Sequence, residues 1–188
     1  MSRTRSGRFD PDEPPATGAA GQDKEPDPES VARAIALRKL GAAPQTRAQL
    51  AEAMARKNVP EEIAEKVLDR FEDVNLIDDA AYAEMLVRTR HNERGLARRA
   101  LAHELWRKGV DAETAEAALE TIQPEDEEER AVELVRKKAR STTGVEPVKR
   151  RRRLVSMLAR KGYGPGVAMR AVDQVLGEED EEDDWGGY

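Results

Sequence analysis

Basic side chains are concentrated in two stretches of this 188-residue chain, and their type and spacing suit a binding function. One stretch covers residues 88–108 and the other covers residues 149–161. Guanidinium and ammonium groups gathered on one surface bind phosphates or acidic proteins through their charge. We therefore predict that the contact residues are Arg94, Arg98, Arg99, Arg107, Lys108, Lys149, Arg150, Arg151, Arg152, Arg153, Arg160 and Lys161.

The second stretch begins with five successive cations, KRRRR, at residues 149–153. These residues stand at the start of a predicted helix, where the helix dipole disfavours positive charge. Five successive helical residues also spread over more than one face, so some of them must project into solvent. This position favours a partner that carries negative charge. A solvated surface without a partner is the alternative interpretation.

Trp106 lies among the cations of the first stretch. We expect its indole to pack between adjacent structural units, because large aromatic side chains usually contribute to a core. The alternative is a partly exposed tryptophan that stacks on a base or fills a pocket of a partner. The two interpretations differ in the exposure of one side chain.

Other groups that could perform chemistry are few. The chain has no cysteine, which excludes disulfides and thiolate metal sites. Its two histidines, His91 and His103, lack the spacing of a helical metal site, and we expect them at the surface. The glycine-rich residues 162–166 lack the Lys-Ser/Thr ending of a phosphate loop and are predicted to form a turn. Without a catalytic grouping, we predict a protein that is not an enzyme and needs no cofactor or metal.

Charge is distributed unevenly along the chain, which has 32 basic and 38 acidic residues and a net charge of -6. Residues 1–30 and 177–188 together hold four of the basic and 14 of the acidic residues, so the stretch between them is basic. Residues 1–29 and 178–188 have too few apolar side chains to form a core, and we predict that both are disordered tails. The acidic tail either solubilises the chain or docks on the basic helices and limits DNA binding.

A sequence element that occurs three times must position these cations. It reads LAEAMARKNV from Leu50, LAHELWRKGV from Leu101 and LVSMLARKGY from Leu154. Apolar residues four apart within it predict a helix with one buried face. Together with an earlier and a later helix, each copy predicts a unit of three short helices, and stacked units form an elongated, curved all-α array. The three units are 30–77, 78–123 and 124–177.

The ends of the predicted helices also follow from the residues. Gly109 suits the left-handed residue that ends a helix, and Asn58 tolerates the same conformation in the first copy. Thr46 with Gln49 predicts a capping box. Asp78 and Asp79, Asp111 and Pro165 predict further helix starts. The first helices of the units are expected at about 30–41, 79–93 and 125–140.

The stretch LIDDAAYAEMLVRTRHNERGLARRALAHELWRKGVD, residues 76–111, resembles the RecX family of bacterial RecA regulators. The likeness extends over residues 30–176, with Asn58 in place of the usual glycine of the first unit. It implies a non-enzymatic protein that binds the RecA filament on single-stranded DNA and damps its ATPase, strand-exchange and coprotease activities. The residues that match the family pattern are Asp78, Asp79, Tyr82, Ala83, Arg88, Gly95, Leu101, Leu105, Lys108, Gly109 and Val110.

Two other functions are compatible with the pattern. Three-helix units with basic helices resemble stand-alone DNA-binding modules, and a helical repeat can also be an adaptor for an unrelated protein. We expect weak binding of single-stranded DNA without sequence preference, and a monomer. The sequence has no apolar signal region and no apolar run of membrane-spanning length, so we expect a cytoplasmic location and no membrane partner.

Overall fold

The computed structural model describes residues 27–185, and it describes side chains for residues 27–179. The described chain is all-α, with no strand. Its first helix starts at Pro28, slightly before the expected boundary at residue 30; residues 1–26 of the predicted tail lie outside the described part. The helices are Pro28–Ala42 (α1), Arg47–Ala55 (α2), Glu61–Asp73 (α3), Asp79–Arg94 (α4), Arg98–Arg107 (α5), Ala112–Leu119 (α6), Pro124–Ala139 (α7), Pro147–Arg160 (α8) and Pro165–Trp185 (α9).

Side-chain caps start several of these helices, as the sequence predicts. Thr46 and Gln49 form the capping box of α2, in which each side chain accepts the backbone N–H of the other residue. Asp78 and Asp111 each accept the backbone N–H three residues ahead, at 2.8 and 2.9 Å. Pro165 is the first residue of α9. Local side-chain chemistry therefore fixes where these helices begin.

Three successive helices pack into each unit, and each unit has its own apolar core. In the second unit, Leu101 and Leu105 of α5 are fully buried against Val87 of α4 and Leu119 of α6. Their equivalents in α2 and α8 are buried in the same way. The predicted all-α array of three tandem three-helix units is confirmed.

The first two units are joined where the N-terminus of α2 meets the C-terminus of α5. The Thr46 hydroxyl donates to the carbonyl oxygen of Lys108 at 2.6 Å. The backbone N–H of Arg47 donates to the carboxylate of Asp79 at 2.9 Å. The two predicted caps at the start of α4 therefore act differently: Asp78 caps its own helix, whereas Asp79 caps α2 across the junction. Burial, the largest influence, raises the pKa of Asp79.

The second junction repeats this arrangement with different residue types. The backbone N–H of Ala97, before α5, donates to the carbonyl oxygen of Lys161, after α8, at 2.9 Å. The backbone N–H of Arg98 donates to the Glu127 carboxylate of α7 at 3.1 Å. The middle helices α8, α5 and α2 thus meet end to end. This connection of successive units produces an elongated array.

Small residues allow the ends of successive middle helices to approach each other closely at the two junctions. Gly109 has a φ of 77°, and a Cβ placed on it would lie 2.3 Å from the Cβ of Ala48. Gly162 has a φ of 93°, and its Cβ would lie 2.6 Å from the Cβ of Ala100. Asn58 adopts the same left-handed conformation, with a φ of 56°, and its side chain is exposed. Glycine is therefore required at the two junctions, whereas the first turn tolerates asparagine.

A buried tyrosine also links the second and third units. The hydroxyl of Tyr163, a residue that is 3% exposed, donates to the carbonyl oxygen of Gly95 at 3.2 Å. Tyr163→Phe would leave that buried oxygen without its partner. We expect it to lower the free energy of unfolding by about 1 kcal/mol, measured by urea denaturation.

The titration of Tyr163 gives this prediction a pH control. Burial raises the pKa of its phenol above the ordinary value of about 10. The folded state favours the neutral phenol, so this contribution to stability is complete below about pH 10 and is lost as pH rises further. Wild type should therefore lose stability more steeply than Tyr163→Phe in alkaline solution. Equal alkaline slopes would contradict the burial of a neutral phenol at this position.

The acidic end of the chain differs from the prediction. The expected disordered segment 178–188 is helical up to Trp185 as part of α9. Ion pairs at the start of this segment, Glu178 with Arg136 and Glu179 with Arg150, hold it against α7 and α8. Residues 186–188 lie outside the described part. No helix in residues 27–185 combines the length and apolar character needed to cross a membrane.

Candidate interaction surface

The structure divides the predicted contact cations into two groups, and the first group holds the fold together. One arginine occupies the same place in each unit, three residues before the first leucine of the repeated element. In every unit it crosses from the start of the middle helix to carboxylates of the third helix. The pairs are Arg47 with Asp69 and Glu72 at 2.7 Å each, Arg98 with Glu116 at 2.9 Å, and Arg151 with Asp173.

Arg98 has a further structural contact, because its guanidinium donates to the carbonyl oxygen of Ile122 at 3.2 Å. We expect Arg98→Ala to lower the free energy of unfolding by about 1 kcal/mol, since the exposed ion pair is screened and the carbonyl bond contributes most. Arg99→Ala is the matched control, because that neighbouring side chain is exposed and has no carboxylate partner in the described part. Urea denaturation should separate the two variants. Equal losses would contradict a structural role that is specific to Arg98.

Arg150 belongs to the structural group as well. Its side chain is 15% exposed and forms an ion pair with Glu179 at 2.6 Å. The guanidinium also donates to the Thr142 hydroxyl and to the carbonyl oxygen of Ala139, at 3.3 Å each. Arg150 therefore ties the start of α8 to the end of α7 and to α9. The run at 149–153 is not a uniform contact patch.

The two lysines that follow the middle helices are half-buried at the junctions. Lys108 accepts the Thr46 hydroxyl bond through its backbone carbonyl. The Lys161 ammonium donates to the carbonyl oxygen of Arg94, beside a cleft of about 660 Å³ between α4, α7 and α8. Burial, and repulsion from Arg130 and Lys137, lower the pKa of Lys161. Both lysines contribute to the junctions between units, and Lys161 also adds positive charge to this cleft.

The second group consists of exposed cations that have no carboxylate partner among the side chains of residues 27–179. On α5 and α8 these cations lie on the side of the helix opposite the buried leucines, as the helical period requires. Arg99 and Arg107 of α5 occupy the same places as Arg152 and Arg160 of α8. We call these four residues the outward arginines. The complete exposed group is Arg94, Arg99, Arg107, Lys149, Arg152, Arg153 and Arg160.

The first unit lacks this cationic face. The place of Arg99 is occupied by Ala48, whose methyl group lies at the junction. The place of Arg107 is occupied by Arg56, which forms an ion pair with Glu52 one turn earlier. In the second and third units, that earlier position is His103 or Ser156, so it supplies no carboxylate. The outward face of each middle helix is the side opposite its buried apolar residues. On α5 and α8 this face carries cations that have no carboxylate partner in the described part, whereas on α2 it does not.

The prediction that Trp106 packs between units is wrong. The residue is 72% exposed on the outward face of α5, where the His103 ring lies 5.8 Å from its own, centroid to centroid, at an angle of 41°. The junction has no space for an indole, because alanine and glycine carbons fill it. The structure instead has an exposed Trp106, which is the alternative that the sequence leaves open.

The histidines and acidic side chains do not form a metal site in the described part of the chain. His103 is exposed, as expected. His91 is half-buried, and its Nδ1 lies 3.0 Å from the carbonyl oxygen of Leu96, so it contributes to the turn between α4 and α5 rather than to the surface alone. The cations and the aromatic pair exposed on this surface can make electrostatic and aromatic contacts.

Tandem three-helix units, with cations on two successive middle helices that have no carboxylate partner among the described side chains, define an all-α helical-repeat protein with a basic outward surface. Three family models match the chain, one for each unit: the first, second and third three-helix domains of RecX, at residues 32–71, 78–119 and 125–172. The chain belongs to the RecX family of regulatory proteins.

Two relatives agree with this assignment, and a solved structure shares the fold. The chain is 50% identical over 179 residues to the regulatory protein RecX of Streptomyces coelicolor, covering 95% of this chain and 90% of that one. It is 48% identical over 174 residues to regulatory protein RecX of Thermobifida fusca, covering 93% and 92%. The crystal structure of RecX from Lactobacillus salivarius has a TM-score of 0.70 at 24% identity, covering 79% of this chain and 96% of that chain, and shows the shared fold.

Proposed function

We propose that this protein binds the RecA filament on single-stranded DNA and regulates RecA, mainly by inhibiting its recombinase, ATPase and coprotease activities in DNA repair. Membership of a family of regulatory proteins supports a role without catalysis of its own. The observation that carries the proposal is the cationic face on α5 and α8, in a chain whose net charge is -6. Because positive charge is exposed on one face of an acidic protein, we expect a negatively charged partner to bind at that face.

The shape of the array supports binding along a filament. The middle helices of the second and third units meet end to end at Ala97 and Lys161. From a rise of 1.5 Å per residue, α5 and α8 are about 15 and 21 Å long, so their outward faces together extend over tens of ångströms. A surface of that length can contact successive RecA protomers or successive phosphates. Either contact would hinder extension of the filament or promote its disassembly.

The test uses the purified 188-residue chain and RecA assembling on single-stranded DNA. Filament length is measured by electron microscopy, and ATP hydrolysis is followed in the same mixture. We expect shorter filaments and slower ATP turnover when the protein is stoichiometric with RecA. Unchanged filaments and turnover would show that the proposed function is wrong.

Binding to DNA in the absence of RecA separates this function from a stand-alone DNA-binding protein. We expect weak binding of single strands that falls steeply with salt and does not depend on base sequence. Tight, sequence-selective binding of duplex DNA would instead favour a transcription-factor-like module. We also expect the protein to be a monomer, which size-exclusion chromatography with light scattering can measure at a salt concentration close to that of the cytoplasm.

A further inference from the structure

The aromatic pair on α5 stands apart from every structural role in the unit. Trp106 is 72% exposed, although exposing so large an apolar ring contributes nothing to the core. His103, one turn earlier on the same face, is also exposed, and the two rings approach to 5.8 Å. The corresponding places are Glu52 and Ala55 in the first unit, and Ser156 and Ala159 in the third. The pair is therefore confined to the central unit.

Two outward arginines share the face with these rings. Arg99 lies one turn before His103, and Arg107 follows Trp106 directly. Residues 99, 103, 106 and 107 fall within a sector of about 100° on the side of the helix opposite Leu101 and Leu105. Neither arginine has a carboxylate partner among the described side chains. An exposed ring system is thus flanked on both sides by available positive charge.

The surroundings of Trp106 favour a nucleic acid over a protein as its partner. Protein-binding surfaces are usually marked by a contiguous exposed apolar patch, but Trp106 is the only large apolar side chain exposed on α5. Rings beside cations match the two parts of a single strand, since each base offers a π-face and each phosphate a negative charge. Duplex DNA hides its base faces in the stack, so the complementary ligand is single-stranded.

We propose that Trp106 and His103, flanked by Arg99 and Arg107, form a base-stacking site for single-stranded nucleic acid. The inference deepens the proposed function, because it places the central unit in direct contact with the DNA that RecA coats. The outward arginines of α8 extend the site with phosphate contacts but without a ring. Base stacking accepts every base, which agrees with binding that has no sequence preference.

A single substitution allows fluorescence to observe Trp106 alone in the 188-residue chain. The chain has two tryptophans, so Trp185→Phe leaves Trp106 as the only indole. This variant is titrated at low salt with a thymidine oligonucleotide, and separately with an abasic oligonucleotide of the same length. We expect strong quenching by the thymidine strand, and binding of the abasic strand, which keeps the phosphates but lacks the bases, that is roughly tenfold weaker than binding of the thymidine strand. Equal affinity and quenching for the two strands would overturn the proposal.

Substitution of the ring provides a second measurement, followed by anisotropy of labelled oligonucleotides. Trp106→Ala should weaken binding of the thymidine strand roughly tenfold and change binding of the abasic strand less than about twofold. Trp106→Phe, which keeps an aromatic face, should recover most of the lost affinity. Because the side chain is exposed, circular dichroism should show an unchanged fold. Equal weakening for both strands would mean that the indole does not stack on bases.

The RecA assay separates this inference from the function on which it rests. If Trp106→Ala binds the thymidine strand as wild type does but no longer shortens RecA filaments, the ring contacts RecA. That result would overturn the stacking site and leave the proposed function standing. If the variant loses affinity for thymidine but not for the abasic strand, the stacking site is supported, whatever the filament assay shows.

Discussion

Gly109→Ala is expected to lower the free energy of unfolding by about 3 kcal/mol, because it combines backbone strain with a steric clash. The backbone at this position has a φ of 77°, where a Cβ is disfavoured. The new methyl carbon would also lie 2.3 Å from the Cβ of Ala48, so the first two units would have to separate. Urea unfolding followed by far-ultraviolet circular dichroism measures the loss.

Two variants divide this loss into its causes. Asn58→Ala introduces alanine at an equivalent left-handed turn, with a φ of 56° and an exposed side chain, so it should cost only about 1 kcal/mol. Adding Ala48→Gly to Gly109→Ala removes the clashing methyl group and should restore part of the stability. A cost for Gly109→Ala no greater than that for Asn58→Ala would contradict the close packing at the junction.

The repeated element contains most of the information about the fold. In each copy a leucine is followed four residues later by another apolar residue, and eight residues later by glycine or asparagine. The apolar spacing predicts the buried face of the middle helix, and the eighth residue predicts its left-handed end. Both properties depend on neighbours in sequence, which is why the pattern predicts them. The need for glycine at Gly109 and Gly162, in contrast, depends on contact with the next unit.

The roles of neighbouring arginines could not be distinguished from charge alone. Arg98 and Arg99 are adjacent and equally basic, yet one binds Glu116 and the other is exposed. The repeat does contain a signal: arginine occurs three residues before the first leucine in all three units, as expected of a structural residue. The next place is alanine in the first unit and arginine in the other two. Comparing equivalent positions in the three units distinguishes cations that stabilise the fold from cations that can bind a partner. Comparing neighbouring cations in one basic stretch does not.

The exposure of Trp106 and the extent of α9 have similar explanations. The places equivalent to Trp106 are Ala55 and Ala159, which are both exposed, and this is a signal that the position is not part of the core. The acidic segment after Glu178 resembles a disordered tail by composition. Its first carboxylates pair with Arg136 and Arg150 of the preceding helices, contacts that connect distant parts of the sequence. Composition alone does not contain such contacts.

Changing the four outward arginines to serine is expected to abolish regulation of RecA while leaving the fold intact. The variant combines Arg99→Ser, Arg107→Ser, Arg152→Ser and Arg160→Ser. None of these side chains pairs with a carboxylate in the described part, so their loss should change stability by less than about 1 kcal/mol. Removing four phosphate contacts should reduce the dependence of log affinity on log salt by about three for single-stranded DNA. We expect binding at low salt to weaken by about 10- to 100-fold.

The matched control makes the same change of charge in the first unit, whose outward face has no available cations. It combines Arg33→Ser, Arg38→Ser, Arg56→Ser and Arg70→Ser, all at exposed positions. Both variants lower the net charge by four, so a general electrostatic effect would weaken binding equally. If the site is localised, the control should bind DNA, shorten RecA filaments and slow ATP turnover nearly as well as wild type. The variant of the outward arginines should lose all three activities. Equal behaviour of the two variants would mean that the cationic faces of α5 and α8 are not the binding surface.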